Sequence, residues 1–329
     1  MFGSAARCAL TALSLVTLGL VSPAQSQGYP TRNVTIVLPL GPGTGMDILV
    51  RLYAEKLSQA LGRPVIVENK PGAATMLAAT QVAQSPADGH TLVVLTSGAL
   101  SINQWLYKQL NYSPENDFTP ISLYVKSPLI LVVTPNVPAK TVQEFIAQAK
   151  QAKPPFSYAS VGAGAFQHIS MEFAKQRFGF DANHVPYRTT GQSVTDLVAG
   201  HVQSGFVEAG ASIPAIKDGK LRALAVSSLQ RLPLLPEVPP FAEVSGAPDF
   251  EAVSWHVLMV PSKTPKDIAD RLHAEMKKIM SDPEMKKRTA DIGLIPFESP
   301  SIQGMNDYIK AERAKWGALV DKIGLRGTQ

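Results

Sequence analysis

Between Val34 and Val226 the sequence alternates short apolar runs of strand length with segments whose apolar residues recur every three or four positions. That alternation constrains the chain more than any other feature. Strands joined through helices lie parallel, and their sheet must be covered on both faces, so the expected class is α/β. Residues 34–40 are predicted as the first strand, ending in a Gly-rich turn over 41–45. From Asp47 onward, Leu49, Leu52, Tyr53, Leu57 and Ala60 follow helical spacing, and Gly62 ends the helix. Further strands are predicted at 64–68, 91–95, 130–133, 157–160, 184–187, 202–206 and 221–226. An Ala-rich helix is predicted over 73–84, and Thr141 with Glu144 has capping-box spacing for a helix reaching Ala152. Thr264 and Pro265 are predicted as the N-cap and first residue of a helix to 280, and a last helix covers 302–323. The proline-rich stretch 231–248 is read as a connection, after which the apolar segment 253–260 begins a last stretch of structure.

The first 26 residues belong to a different grammar. They carry one charge, Arg7, then an apolar run over 8–21, then small residues at Ser22, Ala24 and Ser26. A positive start, an apolar centre and a small-residue end describe a secretory signal peptide, with cleavage after Ala24 or Ser26. The run falls short of the roughly 20 residues that span a bilayer. Cys8 is the one cysteine, so cleavage leaves a chain with neither a disulfide nor a thiolate metal site. The longest later uncharged stretch, 91–107, is interrupted by Thr96, Ser97, Ser101, Asn103 and Gln104. The expectation is an exported, soluble protein.

Most catalytic and cofactor chemistries lack their residues. There is no G-x-S-x-G elbow, no H-E-x-x-H and no Walker-type loop. The six histidines never pair at ligand spacing with another histidine or the cysteine, so neither metal nor cofactor is expected. With 31 basic against 26 acidic residues, and no basic block longer than Lys286-Lys287-Arg288, nucleic acid is not an expected partner.

What remains is the strand-to-helix turns. Glycines at 41, 43 and 45 let the backbone approach a ligand, and the following helix offers free N–H groups at the positive end of its dipole. That makes a small anion site for a carboxylate or phosphate. Asp47, in the first helical turn, is assigned to capping backbone N–H groups. A dinucleotide fingerprint fits Gly41 and Gly43, with Glu68 closing the second strand. Its third small position falls on Met46, however, and Pro42 intrudes. A second turn of the same construction surrounds Gly162 and Gly164 and opens a helix near Ala165. A third strand end, Thr96-Ser97-Gly98, offers hydroxyls and backbone donors. Two such turns in separate halves suggest two lobes facing one cleft, suited to a small molecule with carboxylates at both ends.

Several passages together resemble a known family: Tyr29-Pro30, the 39–43 turn with Asp47, 67–73, 87–92, 158–160, 184–187, 219–226, 235–239 and 311–316. Over about residues 28–325 the chain is similar to the Bug extracytoplasmic solute receptors, the binding proteins of tripartite tricarboxylate transporters. The resemblance implies a type II periplasmic-binding-protein fold, whose lobes close by hinge motion over a small organic carboxylate, aromatic or dicarboxylate among the options. It implies lobe 1 at 27–126 and 253–329, lobe 2 at 127–252, and no catalysis. The partners would be the ligand and the membrane subunits of a transporter, or a sensor kinase, with the receptor itself a monomer. On this reading Leu40, Gly41, Gly43 and Thr44 contact the ligand from the first turn, and Thr96 and Ser97 from the third strand end. Ala165, Phe166 and His168 do so from the second turn, and Glu208 from a later strand. Departures bear on specificity. Thr44 replaces a glycine, Ala165 and Phe166 replace a Thr/Ser pair, and Gln203 and Val207 stand where relatives often carry Asp. An acid at 207 can hold an amino group, so an α-amino-acid ligand is disfavoured, although Glu208 is adjacent. Phe166 either stacks on an aromatic ligand or points into the lobe core. The rival readings are an exported α/β hydrolase and a ligand-responsive sensor or interaction protein.

Overall fold

The computed structural model describes residues 28–72 and 75–329. The expected signal peptide over 1–26, with Cys8 and its cleavage site, lies outside the described residues. So does the start of the helix expected from 73.

Strand β1 (Val34–Leu38) leads into helix α1 (Gly45–Leu61), which ends where Gly62 turns left-handed at φ 69°. Next come β2 (Val65–Asn69), α2 (Met76–Ala83) and β3 (Thr91–Thr96), and a π-helical turn (Gly98–Ile102) that continues into α3 (Asn103–Leu106). Strand β4 (Phe118–Val133) is the longest, followed by α4 (Val142–Gln151), β5 (Phe156–Ser160) and α5 (Phe166–Phe178). Then follow β6 (Ala182–Pro186), α6 (Thr190–Ala199), β7 (Ser204–Glu208), α7 (Ala209–Lys217) and β8 (Arg222–Val226). Helix α8 (Phe241–Val244), β9 (Val253–Pro261), α9 (Lys266–Ser281), α10 (Pro283–Asp291), β10 (Ile295–Pro296) and α11 (Ile302–Lys322) complete the order.

Two parallel triads organise these strands into two lobes. In the first β1 lies between β2 and β3, and in the second β5 lies between β6 and β7. The expected parallel pairing holds within each triad and fails between them. Strand β9 is antiparallel to β3 and β4, and β4 is antiparallel to β7 and β8. The parallel rule needs strands joined by a helix packed on the same sheet. Strands β4 and β9 instead carry the chain between the lobes, so the sheet is mixed. The first part of β4 pairs with β9 and β10, and residues from Leu129 onward pair with β7 and β8.

Expected as four residues, β4 has sixteen. Pro120 and Pro128 hid its first part, because proline normally ends a central strand. The register shifts between Pro120 and Ser122, so Pro120 sits at an irregularity that spares the ladder. Strand alternation then sorts the cores. Ile36 and Leu38 face α1 and α9, with Leu49, Leu57 and Leu272, while Val37 faces Ala78, Val82 and Trp255. In lobe 2, Leu129 and Leu131 face Phe206 and Trp316, while Ile130 and Val132 face Leu197 and Ile213.

Local signals behave as their chemistry demands. The Thr141 hydroxyl accepts the Glu144 N–H at 3.1 Å, and the Glu144 carboxylate takes the Lys140 N–H at 2.6 Å. The start of α9 differs from expectation. Pro265 is extended (ψ 137°) and itself caps the helix, so the Thr264 hydroxyl lies one residue too early and is buried without a partner. Helix α11 spans both lobes: Met305 and Ile309 pack in the first, Trp316 and Val320 in the second. Between them Glu312 accepts the indole N–H of Trp255 at 3.0 Å and of Trp316 at 2.9 Å. Where the chain crosses between lobes, Lys126 pairs with Glu251 at 3.2 Å.

Candidate functional site

In open α/β sheets ligands collect outside the carboxyl ends of the strands, because helix N-termini gather there. Both triads present such an end, and both central strands finish in a glycine turn. In the first turn Gly43 is left-handed at φ 76°, which glycine adopts without strain. Its N–H donates to Asp47 Oδ2 at 2.9 Å, and Thr44 caps α1 by accepting the Asp47 N–H at 3.2 Å. Asp47 is almost wholly buried, and Asn69 Nδ2 (2.8 Å) and the Arg51 guanidinium (3.0 Å) complete its shell. Burial alone would raise the Asp47 pKa, but bonds from Arg51, Asn69 and Gly43 outweigh it and hold the carboxyl below its usual range. Asn69 also donates to Leu40 O at 2.9 Å, fixing the strand side of the turn. Gly41 and Gly43 both border open space. The helix-opening N–H groups of Gly45 and Met46 have no intrahelical partner. Asp47 thus caps backbone N–H, as its position in the first helical turn suggested.

The second turn repeats this geometry with different chemistry. Gly164 is left-handed at φ 78°, and its N–H donates to His168 Nδ1 at 3.1 Å, again four residues on. Ala165 caps α5 in extended conformation and contributes no side-chain bond. As Nδ1 accepts, the His168 imidazole must be neutral. Burial, with His184 stacked 4.2 Å away as the next cause, lowers its pKa to about 4. Below the turn, Ser160 Oγ donates to Gly162 O at 3.0 Å and accepts the Gly162 N–H at 3.1 Å. A 2.6 Å contact with His184 Nε2 ties this hydroxyl to β6 as well.

The remaining sequence-derived residues are distributed as follows. Thr96 Oγ1 accepts the Ala99 N–H at 3.3 Å and lies 3.5 Å from Thr75 Oγ1. Ser97 is fully buried and bonded to Ser254 on β9 at 3.0 Å. The Phe166 ring packs edge-on against Trp316, with centroids 5.2 Å apart inside the lobe 2 core. It is therefore a core residue, and only its backbone belongs to the turn. Glu208 is half-buried and accepts from Gln167 Nε2 at 3.1 Å and Thr190 Oγ1 at 3.0 Å. A cavity of about 870 Å³ opens instead along α6, beside Tyr187, Arg188 and Gln192, and no residue of either glycine turn lines it.

Sequence reasoning missed three contributors. Arg51, four residues after Asp47, carries a readable ion-pair spacing. Asn69 and the Ile292–Gly293 bend arrive from distant segments with no local signal. The Ile292 carbonyl oxygen lies 3.8 Å from where a Cβ on Gly45 would stand and 3.0 Å from one on Gly210, so it sits between the starts of α1 and α7.

The buried histidines predict acid sensitivity. His168 and His256, the latter lowered by burial to about 3, stay neutral in the fold while the unfolded chain protonates near 6.5. Between those values the unfolded state binds more protons, so stability falls as pH drops from about 6.5 toward 4. His168 alone contributes roughly 3 kcal/mol to that fall. Urea unfolding at pH 7, 5.5 and 4.5 measures it. His168→Gln, which keeps an acceptor for Gly164, is expected to flatten the slope, and an unchanged slope would count against the assignment.

Two α/β lobes, crossed by two long strands and each ending in a glycine turn at a helix N-terminus, define a two-lobed periplasmic binding protein. The chain belongs to the receptors of tripartite tricarboxylate transporters: residues 49–325 match the family described as "Tripartite tricarboxylate transporter family receptor". It is similar to the periplasmic binding protein BugD, with 30% identity, a TM-score of 0.81, and coverage of 91% of this chain and 99% of that one. It is similar to an R. palustris protein solved with adipate: 32% identity, TM-score 0.83, covering 90% of this chain and 98% of that one. MatC from Rhodopseudomonas palustris, solved with bound malate, shares 29% identity at TM-score 0.77, covering 89% of this chain and 100% of that one. The family is one of periplasmic solute receptors rather than enzymes. Among the described residues no helix is long and apolar enough to cross a membrane.

Proposed function

We propose that this chain, exported by its N-terminal leader, captures a small organic carboxylate between lobe 1 (27–126 and 253–329, the end of α11 docking on lobe 2) and lobe 2 (127–252). It then delivers the ligand, as a monomer and without transforming it, to the membrane subunits of a tripartite tricarboxylate-type transporter. The observation that carries this reading is the duplicated turn. Gly43 and Gly164 adopt φ 76° and 78°, and each ties its N–H to the residue four positions on. Each turn leaves the opening N–H groups of its helix for an anion. Relatives solved with adipate and malate support the ligand class. With the Phe166 ring packed on Trp316, nothing in the second turn favours an aromatic ligand over an aliphatic one.

Thermal unfolding of the leaderless protein against a panel of mono-, di- and hydroxycarboxylates tests the reading. A ligand at 100 times its dissociation constant adds about 2.7 kcal/mol, a midpoint rise of several degrees. If no acid in the panel moves the midpoint, the carboxylate reading is wrong.

A further inference from the structure

Strands β4 and β9 cross between the lobes side by side, and their two faces meet different surroundings. One face is closed by α11: Trp255 on β9 gives its indole N–H to Glu312, and Lys315 reaches the Glu251 carbonyl at 3.4 Å. Because side chains alternate along a strand, Ser254 and His256 stand on the opposite face, the one that carries Leu258 into the core beneath α1. Strand register sets them level with the site. His256 lies beside Thr96, the last residue of β3, and Ser254 lies beside Ser127 of β4. Ser254 also meets Ser97 at 3.0 Å. This polar strip forms the floor between the carboxyl ends of the lobe 1 strands and lobe 2, whose pairing of β4 with β7 begins at Leu129.

One side chain of that strip stands apart. Each of the other five histidines has a polar partner within 3.5 Å. His256 is 5% exposed, Nδ1 is sealed from solvent, and among the described residues nothing donates to its ring or accepts from it. Burial keeps the ring neutral, a state with one donor and one acceptor nitrogen. A buried polar group without a partner costs free energy, and a ligand that supplies the partner recovers it.

The expected carboxylate sites are the two glycine turns, so the part of a ligand that crosses the floor is its carbon chain. A hydroxyl on that chain suits a neutral imidazole in either tautomer, because it both donates and accepts. A carboxylate suits only a nitrogen that carries its proton, and a methylene suits neither form.

We infer that His256 makes the receptor select a hydroxylated carboxylic acid, by hydrogen-bonding a hydroxyl on the carbon chain between the acid groups. This deepens the proposed carboxylate reading and rests on it. A site built to bond a hydroxyl discriminates strongly against the analogue that lacks it, because the buried imidazole is then covered and left unpaired.

Calorimetric titration of the leaderless protein with matched pairs tests it: malate against succinate, 2-hydroxyglutarate and 3-hydroxyglutarate against glutarate, and citrate against tricarballylate. In the wild-type protein the best hydroxy acid is expected to bind at least about tenfold tighter than its deoxy twin. His256→Leu and His256→Phe, both apolar and unlike in shape, are expected to bring that ratio to about twofold or less, with the deoxy acid bound as well as before or better. Neither variant removes a hydrogen bond of the fold, and melting curves report that each folds. Ratios of about twofold or less for every pair in the wild type, or a preference that survives in a folded variant, would overturn the inference while leaving the carboxylate receptor intact. If no member of any pair binds the wild type, the carboxylate reading falls and the inference with it.

Discussion

Asp47→Ala is expected to lower the unfolding free energy by about 3 kcal/mol and to remove ligand binding from lobe 1. Asp47 is 4% exposed, and its carboxylate receives the Gly43 N–H, the Asn69 amide and the Arg51 guanidinium. Alanine leaves the first two donors without their acceptor in a buried place, at roughly 1–1.5 kcal/mol each. Arg51 is half exposed, so the loss of its ion pair adds less than a buried pair would. The functional loss is larger than the stability figure suggests. Without Asp47 the Gly43 N–H loses the acceptor that fixes it at φ 76°, and the turn proposed to meet an anion is no longer preorganised. Urea unfolding and calorimetric titration check both parts. A stability loss under about 1 kcal/mol with binding intact would show that the turn holds itself without this carboxylate.

Legibility followed sequence distance. The two glycine turns were visible because each lies within ten residues of its strand and helix, and local chemistry writes them: Gly43 and Gly164 supply the left-handed backbone, Thr44 the cap. What fixes the turns was not visible. Asn69 reaches Asp47 across β2, and no pattern around position 69 announces it. The first half of β4 was obscured by Pro120 and Pro128, whose cost the register shift and the lobe crossing absorb. Phe166 could be placed on the second turn but not oriented, because its direction depends on Trp316, 150 positions later. Glu208 was nameable as a strand-end acid. Its meeting with Gln167 and Thr190 exists only because β7, β5 and β6 lie side by side. In each case the missing information is a tertiary contact between segments that are each locally ordinary.

Gly210→Leu is expected to weaken binding between five- and about 150-fold while leaving the helix it occupies intact. Gly210 is the second residue of α7, where leucine has the better helical preference, so the local effect is neutral or favourable. The obstacle lies across the lobes. A Cβ at Gly210 would stand 3.0 Å from the Ile292 carbonyl oxygen, and at Gly293 (φ 80°) one would stand 3.1 Å from Ala209 Cβ. A leucine must therefore push the Ile292–Gly293 bend away from α7, an overpacking cost of about 1–3 kcal/mol. That bend leads directly into β10, whose Ile295 pairs with Lys126 beside the chain crossing, so a small displacement there is levered into a wider cleft. The same carbonyl borders Gly45, the first residue of α1, so the wedge also disturbs the turn proposed to hold the carboxylate. Because apparent affinity scales with the population of the binding-competent state, the cost should appear in the dissociation constant rather than in the unfolding midpoint. Titration with the ligand that most raises the wild-type midpoint, together with small-angle scattering with and without it, measures both consequences. The expected result is weaker binding and a radius of gyration that no longer contracts on ligand addition. Wild-type affinity with normal contraction would mean that the close approach of Gly210 to Ile292 has no part in closure.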